Sequence, residues 1–291
     1  MRIAVTGARG FTGRFVIDAL EEAGAHCVPL DADLTDKAAV SQAVEDSGFD
    51  RVLHLAAQAF VAADDWERFY TVNQLGTLHL LDAVARVRPG ARCILASSAQ
   101  VYGPGAEGLI TEDAPTRPSN HYAMGKLAME MSARLWGDRL DIVVARPFNY
   151  TGVGQGTQYL IPKIVDHFRR REPVIELGNT WVKRDFGDVR SVAQAYVGLA
   201  LQDTAPDLVN IATGSVYSVD QVLDILRAIS GYGIEVHINP AFVRANDVPV
   251  LGGDPTRLRA GLPNWHQYGL AETLAWMYEQ SDAPVISGLP G

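Results

Sequence analysis

Three residues have the types and the spacing for proton and hydride chemistry: Ser98, Tyr122 and Lys126. Tyr122 and Lys126 are four apart in a segment that continues with helical spacing through Met129, Ala133 and Leu135, so they share one helix face a single turn apart. A phenol ordinarily titrates at about 10, and a neighbouring ammonium favours the phenolate, so Lys126 is expected to lower the pKa of Tyr122. The Ser98 hydroxyl is able to hydrogen-bond the same substrate oxygen. The set suits hydride transfer at a carbonyl, with Tyr122 as general acid or base. A Tyr-x-x-x-Lys alone arises often by chance. Its weight here comes from lying downstream of the pair Ser97-Ser98, which closes an apolar strand within residues 92–102.

The elements that must position these groups begin at the N-terminus. The apolar run Ile3-Ala4-Val5-Thr6 leads into Gly7-x-x-Gly10-x-x-Gly13, and a helical pattern leaves through Phe15, Val16, Ala19, Leu20 and Ala23. Glycines permit the tight turn and let a bulky group approach bare backbone, and the helix N-terminus suits a pyrophosphate. Residues 3–23 therefore read as the dinucleotide-binding turn of a βαβ fold, the bland alternative being an ordinary glycine-rich loop. A second strand, residues 26–31, ends at Asp31, which is either a ribose ligand or a plain loop carboxylate. Arg9 sits inside the turn and points instead toward a 2′-phosphate, so the two residues pull toward NAD and NADP respectively. Asp33 is placed to accept from an adenine amino group, unless Thr35 or Asp36 simply caps the helix near 36–47. The strand 51–57 ends in Ala56 and Ala57, small enough for a cofactor to lie against, while His54 is expected to be a packed core histidine. Asn73, just before the helix 75–87, reads as a residue holding a water or a backbone kink near the site, or as a cap.

The 291 residues suffice for one large domain or a domain with a lobe, and 47% hydrophobic with 20% charged residues is ordinary for a globular chain. A net charge of −9 argues against a nucleic-acid or membrane surface. No apolar run reaches about 18 residues, so no membrane span is expected. Cys27 and Cys93 each lie in an apolar run and are expected to be buried and reduced, which suits a cytoplasmic protein, and no signal peptide is visible at the start. No metal site is expected.

With Gly7-x-x-Gly10-x-x-Gly13, Asp33-Leu34, His54-Leu55-Ala56-Ala57, Asn73, Ser97-Ser98-x-x-Val101-Tyr102-Gly103 and Tyr122-x-x-x-Lys126, the first half of the chain resembles the extended short-chain dehydrogenases/reductases. The resemblance implies a Rossmann-type doubly wound α/β fold and Ser98, Tyr122 and Lys126 as the catalytic set. It further implies a cofactor held by Gly7, Arg9, Gly10, Phe11, Gly13, Asp31, Asp33, Leu34, Leu55, Ala56, Ala57, Asn73 and Lys126. In the second half, Arg146-Pro147-Phe148-Asn149-Tyr150-Thr151-Gly152-Val153-Gly154-Gln155, Arg184-Asp185-Phe186-Gly187-Asp188-Val189-Arg190 and Arg244-Ala245-Asn246-Asp247-Val248-Pro249 are similar to stretches of GDP-6-deoxy-D-mannose reductases. By that likeness Ser98, Asn149, Arg184, Arg244 and Asp247 face the nucleotide-diphosphate sugar. From the residues alone, Arg184 and Arg244 sit in loop-like contexts beside Asp185 and Asp247, where guanidinium forks match phosphate oxygens or form surface ion pairs. Four positions depart from the family pattern: His121 and Val153 for Pro, Gly125 for Ser, and Tyr150 for His. Gly125 is read as a hydroxyl lost near the cofactor, and Tyr150 and Val153 as flanking the sugar or the nucleotide.

The expected division is residues 1–150 as the Rossmann domain, with 185–215 returning to it, residues 151–184 and 216–280 as a smaller substrate lobe, and 281–291 as a tail. Ser218-Val219-Asp220-Gln221 reads as a capping box opening the helix 219–229, with a further helix near 160–170 and a last one over 269–280. The implied reaction is NADPH- or NADH-dependent reduction at C4 of a nucleotide-linked 4-keto-6-deoxyhexose, GDP-4-keto-6-deoxy-D-mannose to GDP-D-rhamnose, with NADP favoured for a reductase. The alternatives are a nucleotide-sugar 4-epimerase with retained NAD and a non-catalytic NAD(P)-sensing protein. Dehydration is disfavoured, because the Asp-Glu pair that dehydratases of the superfamily carry after the catalytic hydroxyl is replaced by Ala99 and Gln100. A homodimer through the helices 75–87 and 122–136 is expected.

Overall fold

The computed structural model describes residues 1–59, 65–243 and 248–280. Arg244, Asp247 and the tail 281–291 lie outside the described residues. The chain opens β1 (Arg2–Thr6), α1 (Phe11–Glu22), β2 (His26–Leu30), α2 (Lys37–Ser47) and β3 (Arg51–His54). A helical stretch follows, made of α3 (Arg68–Tyr70), a π-helical segment Thr71–Gly76 and α4 (Thr77–Val87). Next come β4 (Arg92–Ala96), β5 (Gly108–Ile110), α5 (His121–Ala133), β6 (Asp141–Pro147), β7 (Asn149–Thr151), α6 (Leu160–Arg169), β8 (Val174–Leu177) and β9 (Lys183–Asp188). The remainder is α7 (Val189–Leu201), β10 (Leu208–Ile211), β11 (Val216–Ser218), α8 (Val219–Ser230), β12 (Glu235–Ile238), β13 (Val250–Gly253), α9 (Thr256–Gly261) and α10 (Leu270–Glu279).

Six parallel strands form the main sheet in the order β10-β6-β4-β3-β1-β2, a doubly wound arrangement. Cys93, Ile94 and Leu95 on consecutive positions of β4 are all fully buried, as expected of a central strand covered on both faces. One face carries α1 and α7, the other α2, α4 and α5. Pro29, which cannot donate to a ladder, sits in the edge strand β2. His54 is a buried core residue, its two ring nitrogens 2.7 and 2.8 Å from the hydroxyls of Thr6 and Thr77. Burial lowers its pKa to about 3, so it stays neutral.

The second lobe has its own core, built from α6, α8 and α10 against β8 and β9. Ser218 and Gln221 form the capping box read from the sequence: the Gln221 amide donates to the Ser218 hydroxyl at 3.1 Å and the Ser218 amide to the Gln221 side chain at 2.8 Å. The sheet order here is β11-β9-β13-β5, with β7 beside β9. β5, inside the Pro- and Gly-rich stretch 104–118, joins the lobe sheet; α7 and β10, within residues 185–215, pack with the main core, as does α9. Arg184 lies on strand β9 rather than on a loop. Cys93 is buried, Cys27 only half-buried, and both are free thiols.

Candidate active site

Gly7, Ser97-Ser98 and Phe148-Asn149 follow the carboxyl ends of β1, β4 and β6, the side on which a doubly wound sheet holds its ligands in a crevice. Gly7 has φ +70°, and a Cβ there would fall 2.8 Å from the Ala56 amide nitrogen. A Cβ on Gly13 would fall 2.2 Å from the Gly7 carbonyl oxygen. Only glycine permits this close approach of strand, turn and helix. Gly10 is the N-cap of α1 and has no side chain to cap the first-turn amides. A positive helix end beside bare backbone fits a pyrophosphate, so the turn satisfies the demands of a dinucleotide. Beyond it, Arg9 and Asp31 are paired with each other at 2.6 Å and both are largely exposed. Asp33 is exposed and accepts from the amide and hydroxyl of Thr35 at 2.8 and 2.7 Å, while Asp36 caps α2. Leu34 is buried, and its carbonyl lies 2.9 Å from His79 Nδ1. Leu55, Ala56 and Ala57 follow β3 and are half-buried. Asn73 lies inside the π-helical segment, not at a helix start. It clamps the loop after Ala57 by accepting from the Gln58 amide at 2.8 Å and donating to the Gln58 carbonyl at 3.0 Å.

Asn120 caps α5 by accepting from the Ala123 amide at 2.8 Å, which starts the helix just before Tyr122. Ser98 begins the short 3₁₀ turn after β4, its hydroxyl accepting from the Gln100 amide at 3.2 Å, and it acts on the Tyr122 phenol to lower its pKa. Tyr122, Ser98 and Lys126 are all buried. Burial raises the phenol's pKa, against the opposing effect of Ser98 and with a further upward push from Tyr150 and Tyr159. The expected lowering by Lys126 is thus not observed. Lys126 Nζ donates to the Ala96 carbonyl at 2.6 Å, and its own pKa falls to about 8 because burial outweighs the attraction of Glu130. The phenol is therefore protonated at neutral pH, the state of a proton donor.

Beneath this set lies a buried ion pair. Arg146 of β6 makes two hydrogen bonds to Glu130 of α5, at 2.9 and 2.6 Å. Ser97 donates to the same carboxylate, and the guanidinium lies 4.8 Å over the Tyr102 ring. On the lobe side Asn149 is exposed on β7, and Arg184 donates to the carbonyls of Lys183 and Val248 at 2.9 and 2.7 Å. Asp185 is fully buried and accepts from Thr213 and Gly214, so the surface ion pair between neighbours does not form.

The departures from the family pattern have structural causes. A Cβ at Gly125 would fall 2.4 Å from the Phe69 carbonyl oxygen, so Gly125 is where α5 meets the end of α3, not a hydroxyl lost beside a cofactor. Gly125→Ser is expected to force these helices apart and to lower stability by about 1–3 kcal/mol; a urea midpoint equal to that of wild type would contradict the contact. Val153 is buried in the lobe core. Tyr150 turns to the cofactor turn: its hydroxyl is 2.8 Å from that of Thr12, and its ring stacks on Phe11 at 6.2 Å and 11°. His121 packs against Trp66 at 5.2 Å, with Nδ1 3.0 Å from the Tyr70 hydroxyl. Sequence reasoning missed Thr12, Glu130 and Tyr159 as members of this neighbourhood; Tyr150 it had placed beside the sugar or the nucleotide, as a departure from the pattern.

A dinucleotide turn on a doubly wound sheet, with a buried serine, tyrosine and lysine in its crevice, defines the class of nicotinamide-dependent short-chain oxidoreductases. Within it the chain belongs to the GDP-mannose 4,6 dehydratase family, whose model matches residues 28–277. Over 92% of this chain and 93% of the relative, it is 35% identical to a GDP-6-deoxy-D-talose 4-dehydrogenase of Aggregatibacter actinomycetemcomitans. It is 32% identical to the GDP-6-deoxy-D-mannose reductase of Pseudomonas aeruginosa, covering 88% and 89% of the two chains. A UDP-glucose 4-epimerase of Corynebacterium glutamicum is 27% identical over 98% and 93%. Among solved structures, that of a candidate epimerase from Burkholderia cenocepacia superposes with a TM-score of 0.91 at 41% identity, covering 97% and 98%. The structure of RMD from Pseudomonas aeruginosa complexed with NADPH gives 0.85 at 28%, covering 96% and 97%. No described helix is long and apolar enough to cross a membrane.

Proposed function

We propose that the protein moves a hydride between NAD(P) and C4 of a nucleotide-diphosphate-linked hexose. The observation that carries this is the buried phenol of Tyr122, one helical turn from the buried Lys126 and close enough to the buried Ser98 for that hydroxyl to lower its pKa. A bound nicotinamide supplies or takes up the hydride. Gly7, Gly10 and Gly13 form its phosphate cradle, and Phe11, Leu34, Leu55, Ala56, Ala57 and Asn73 wall its crevice. Ser98 orients the sugar oxygen, Tyr122 gives that oxygen its proton, and the ammonium of Lys126 stabilises the phenolate left behind. Arg184, Asn149, Arg244 and Asp247 hold the diphosphate and sugar.

Two reactions use this half-step. Retention of NAD and return of the hydride to the opposite face gives a 4-epimerase. This version has the wider support, from the candidate epimerase at 41% identity and the UDP-glucose 4-epimerase matched over nearly the whole chain. A single transfer gives reduction of GDP-4-keto-6-deoxy-D-mannose to GDP-D-rhamnose, supported by the two relatives above 30% identity that act on GDP-6-deoxyhexoses. Ala99 and Gln100 stand where dehydration would need an acid and a base. Incubation with NADPH or NADH and GDP- or UDP-linked 4-ketosugars, beside UDP-glucose without added cofactor, separates the two. Loss of 340 nm absorbance marks the reductase, and C4 inversion without added cofactor marks the epimerase. Neither change on any of these sugars would refute the assignment.

The Arg9–Asp31 pair sets the cofactor choice in this account: Asp31 takes ribose hydroxyls and Arg9 a 2′-phosphate. Asp31→Asn frees Arg9 and is expected to shift the kcat/KM ratio toward NADPH by about tenfold, the size of a charge-assisted hydrogen bond; an unchanged ratio would contradict it. We also propose a homodimer. Leu75, Met124, Met131 and Leu135 remain 44–79% exposed on adjacent helical segments joined by the Gln74–Ser132 hydrogen bond, and a second copy would cover them. Light scattering at micromolar protein should return twice the 31.5 kDa chain mass.

A further inference from the structure

Tyr150 stands at a junction that the catalytic set does not use. Its phenol meets Thr12, the second residue of α1 and part of the turn that cradles the cofactor phosphates, at 2.8 Å. Its backbone belongs to β7, which pairs in parallel with β9 in the register Asn149↔Phe186, Tyr150↔Gly187, Thr151↔Asp188. β9 also carries Arg184, three residues upstream of Gly187. The ring stacks on Phe11, Phe11 packs edge-on to Phe15 at 5.8 Å, and Phe15 packs edge-on to Trp276 of α10 at 5.8 Å. Trp276 in turn lies 4.0 Å from the guanidinium of Arg190, which makes a bidentate pair with Asp188 at the end of β9. The cofactor turn and the lobe sheet are therefore tied by one hydrogen bond and one aromatic chain, and both ties begin at Tyr150 or its stacking partner.

We infer that Tyr150 is a positioning residue that couples cofactor binding at the α1 turn to nucleotide-sugar binding at β9, with its hydrogen bond to Thr12 as the latch. The inference rests on the proposed placement of the sugar nucleotide's diphosphate at Arg184. A group seated on the first turn of α1 restrains Thr12, and through Tyr150 it restrains the ladder that bears Arg184. A group on Arg184 restrains the same ladder from the other end. Each ligand then orders part of what the other must order, so each tightens the other by the same factor.

The test is a set of binding titrations. NADPH affinity is measured from its fluorescence alone and with saturating UDP or GDP, in wild type, Tyr150→Phe, Thr12→Val and the double variant. Phenylalanine keeps the stack on Phe11 and valine keeps the shape of threonine, so thermal midpoints without ligand should stay near wild type. In wild type the nucleoside diphosphate should tighten NADPH about three- to tenfold, the range of one hydrogen bond. In each single variant and in the double variant the ratio should fall to about one, the second substitution adding nothing to the first. Coupling that persists in the variants, or is absent from wild type although both ligands bind, overturns the latch and leaves the functional assignment standing. Wild type that binds NADPH but neither UDP nor GDP overturns both. Variants that lose NADPH binding together with their thermal stability show a purely structural contact and overturn the latch.

Discussion

Tyr122→Phe is expected to lose about 10²–10⁴-fold in kcat while binding nucleotides as wild type does, the loss typical of a positioned proton donor. The substitution removes one oxygen and keeps a ring that packs 5.9 Å edge-on to Phe69, so the helix start should be undisturbed. The reason for so large an effect is specific to this crevice. Burial raises the phenol's pKa and Ser98 only partly offsets it, so at neutral pH the proton sits on Tyr122, ready for an alkoxide forming at C4. No other described acid takes this place: Glu130 is held by Arg146 and Ser97, and Lys126 is held on the Ala96 carbonyl. Steady-state rates with either sugar class, beside NADPH titration of the same variant, check both halves of the expectation. A phenylalanine variant with more than a tenth of wild-type turnover would remove Tyr122 from the proton path.

The largest effect on stability is expected at Glu130→Ala, on the order of 3–5 kcal/mol, because the change strands a buried guanidinium. Arg146 is 3% exposed and Glu130 1%. The attraction between the two is not itself the point, since burying both ions offsets much of it. Removal of one partner leaves the other charged and dry. Denaturant midpoints check the size, and Glu130→Leu combined with Arg146→Met should recover a good part of the loss. The same variant carries a pH signature. Glu130 supports the charge on Lys126, whose pKa in the fold is about 8, below its ordinary value. The ammonium is thus lost as pH rises through about 8, and without Glu130 that loss should move to lower pH. An alkaline limb that stays in place would show that Lys126 does not set it.

The main sheet was legible because its strands are continuous apolar runs and its first helices are strongly periodic, as β4 and α1 show. The glycine turn and the Tyr122–Lys126 pair were legible because their chemistry fixes residue type and spacing within a few positions. The lobe sheet was not. β5, β7 and β11 are three residues each, and their partners lie far away in the chain, so periodicity has too little length to register. Arg184 read as a loop residue for the same reason. The rise in the Tyr122 pKa was hidden because spacing reports that an ammonium is near, not that the phenol is buried or that the ammonium's protons are directed to the Ala96 carbonyl. Gly125 and Tyr150 were visible as departures, but only the coordinates show that Phe69 and Thr12 account for them.

The central claim is that hydride passes between the nicotinamide and C4 of a nucleotide-linked hexose, and deuterium tests it most directly. The protein, at a concentration matching its ligands, is mixed with NAD(P)⁺ and UDP-glucose or a GDP-6-deoxyhexose deuterated at C4, then quenched, and the cofactor is weighed by mass spectrometry. The account predicts reduced cofactor carrying one deuterium, one mass unit above the ordinary reduced form, with at least one of these sugars, and none with Tyr122→Phe. Reduced cofactor without the label, or no reduced cofactor with any of them, would contradict it.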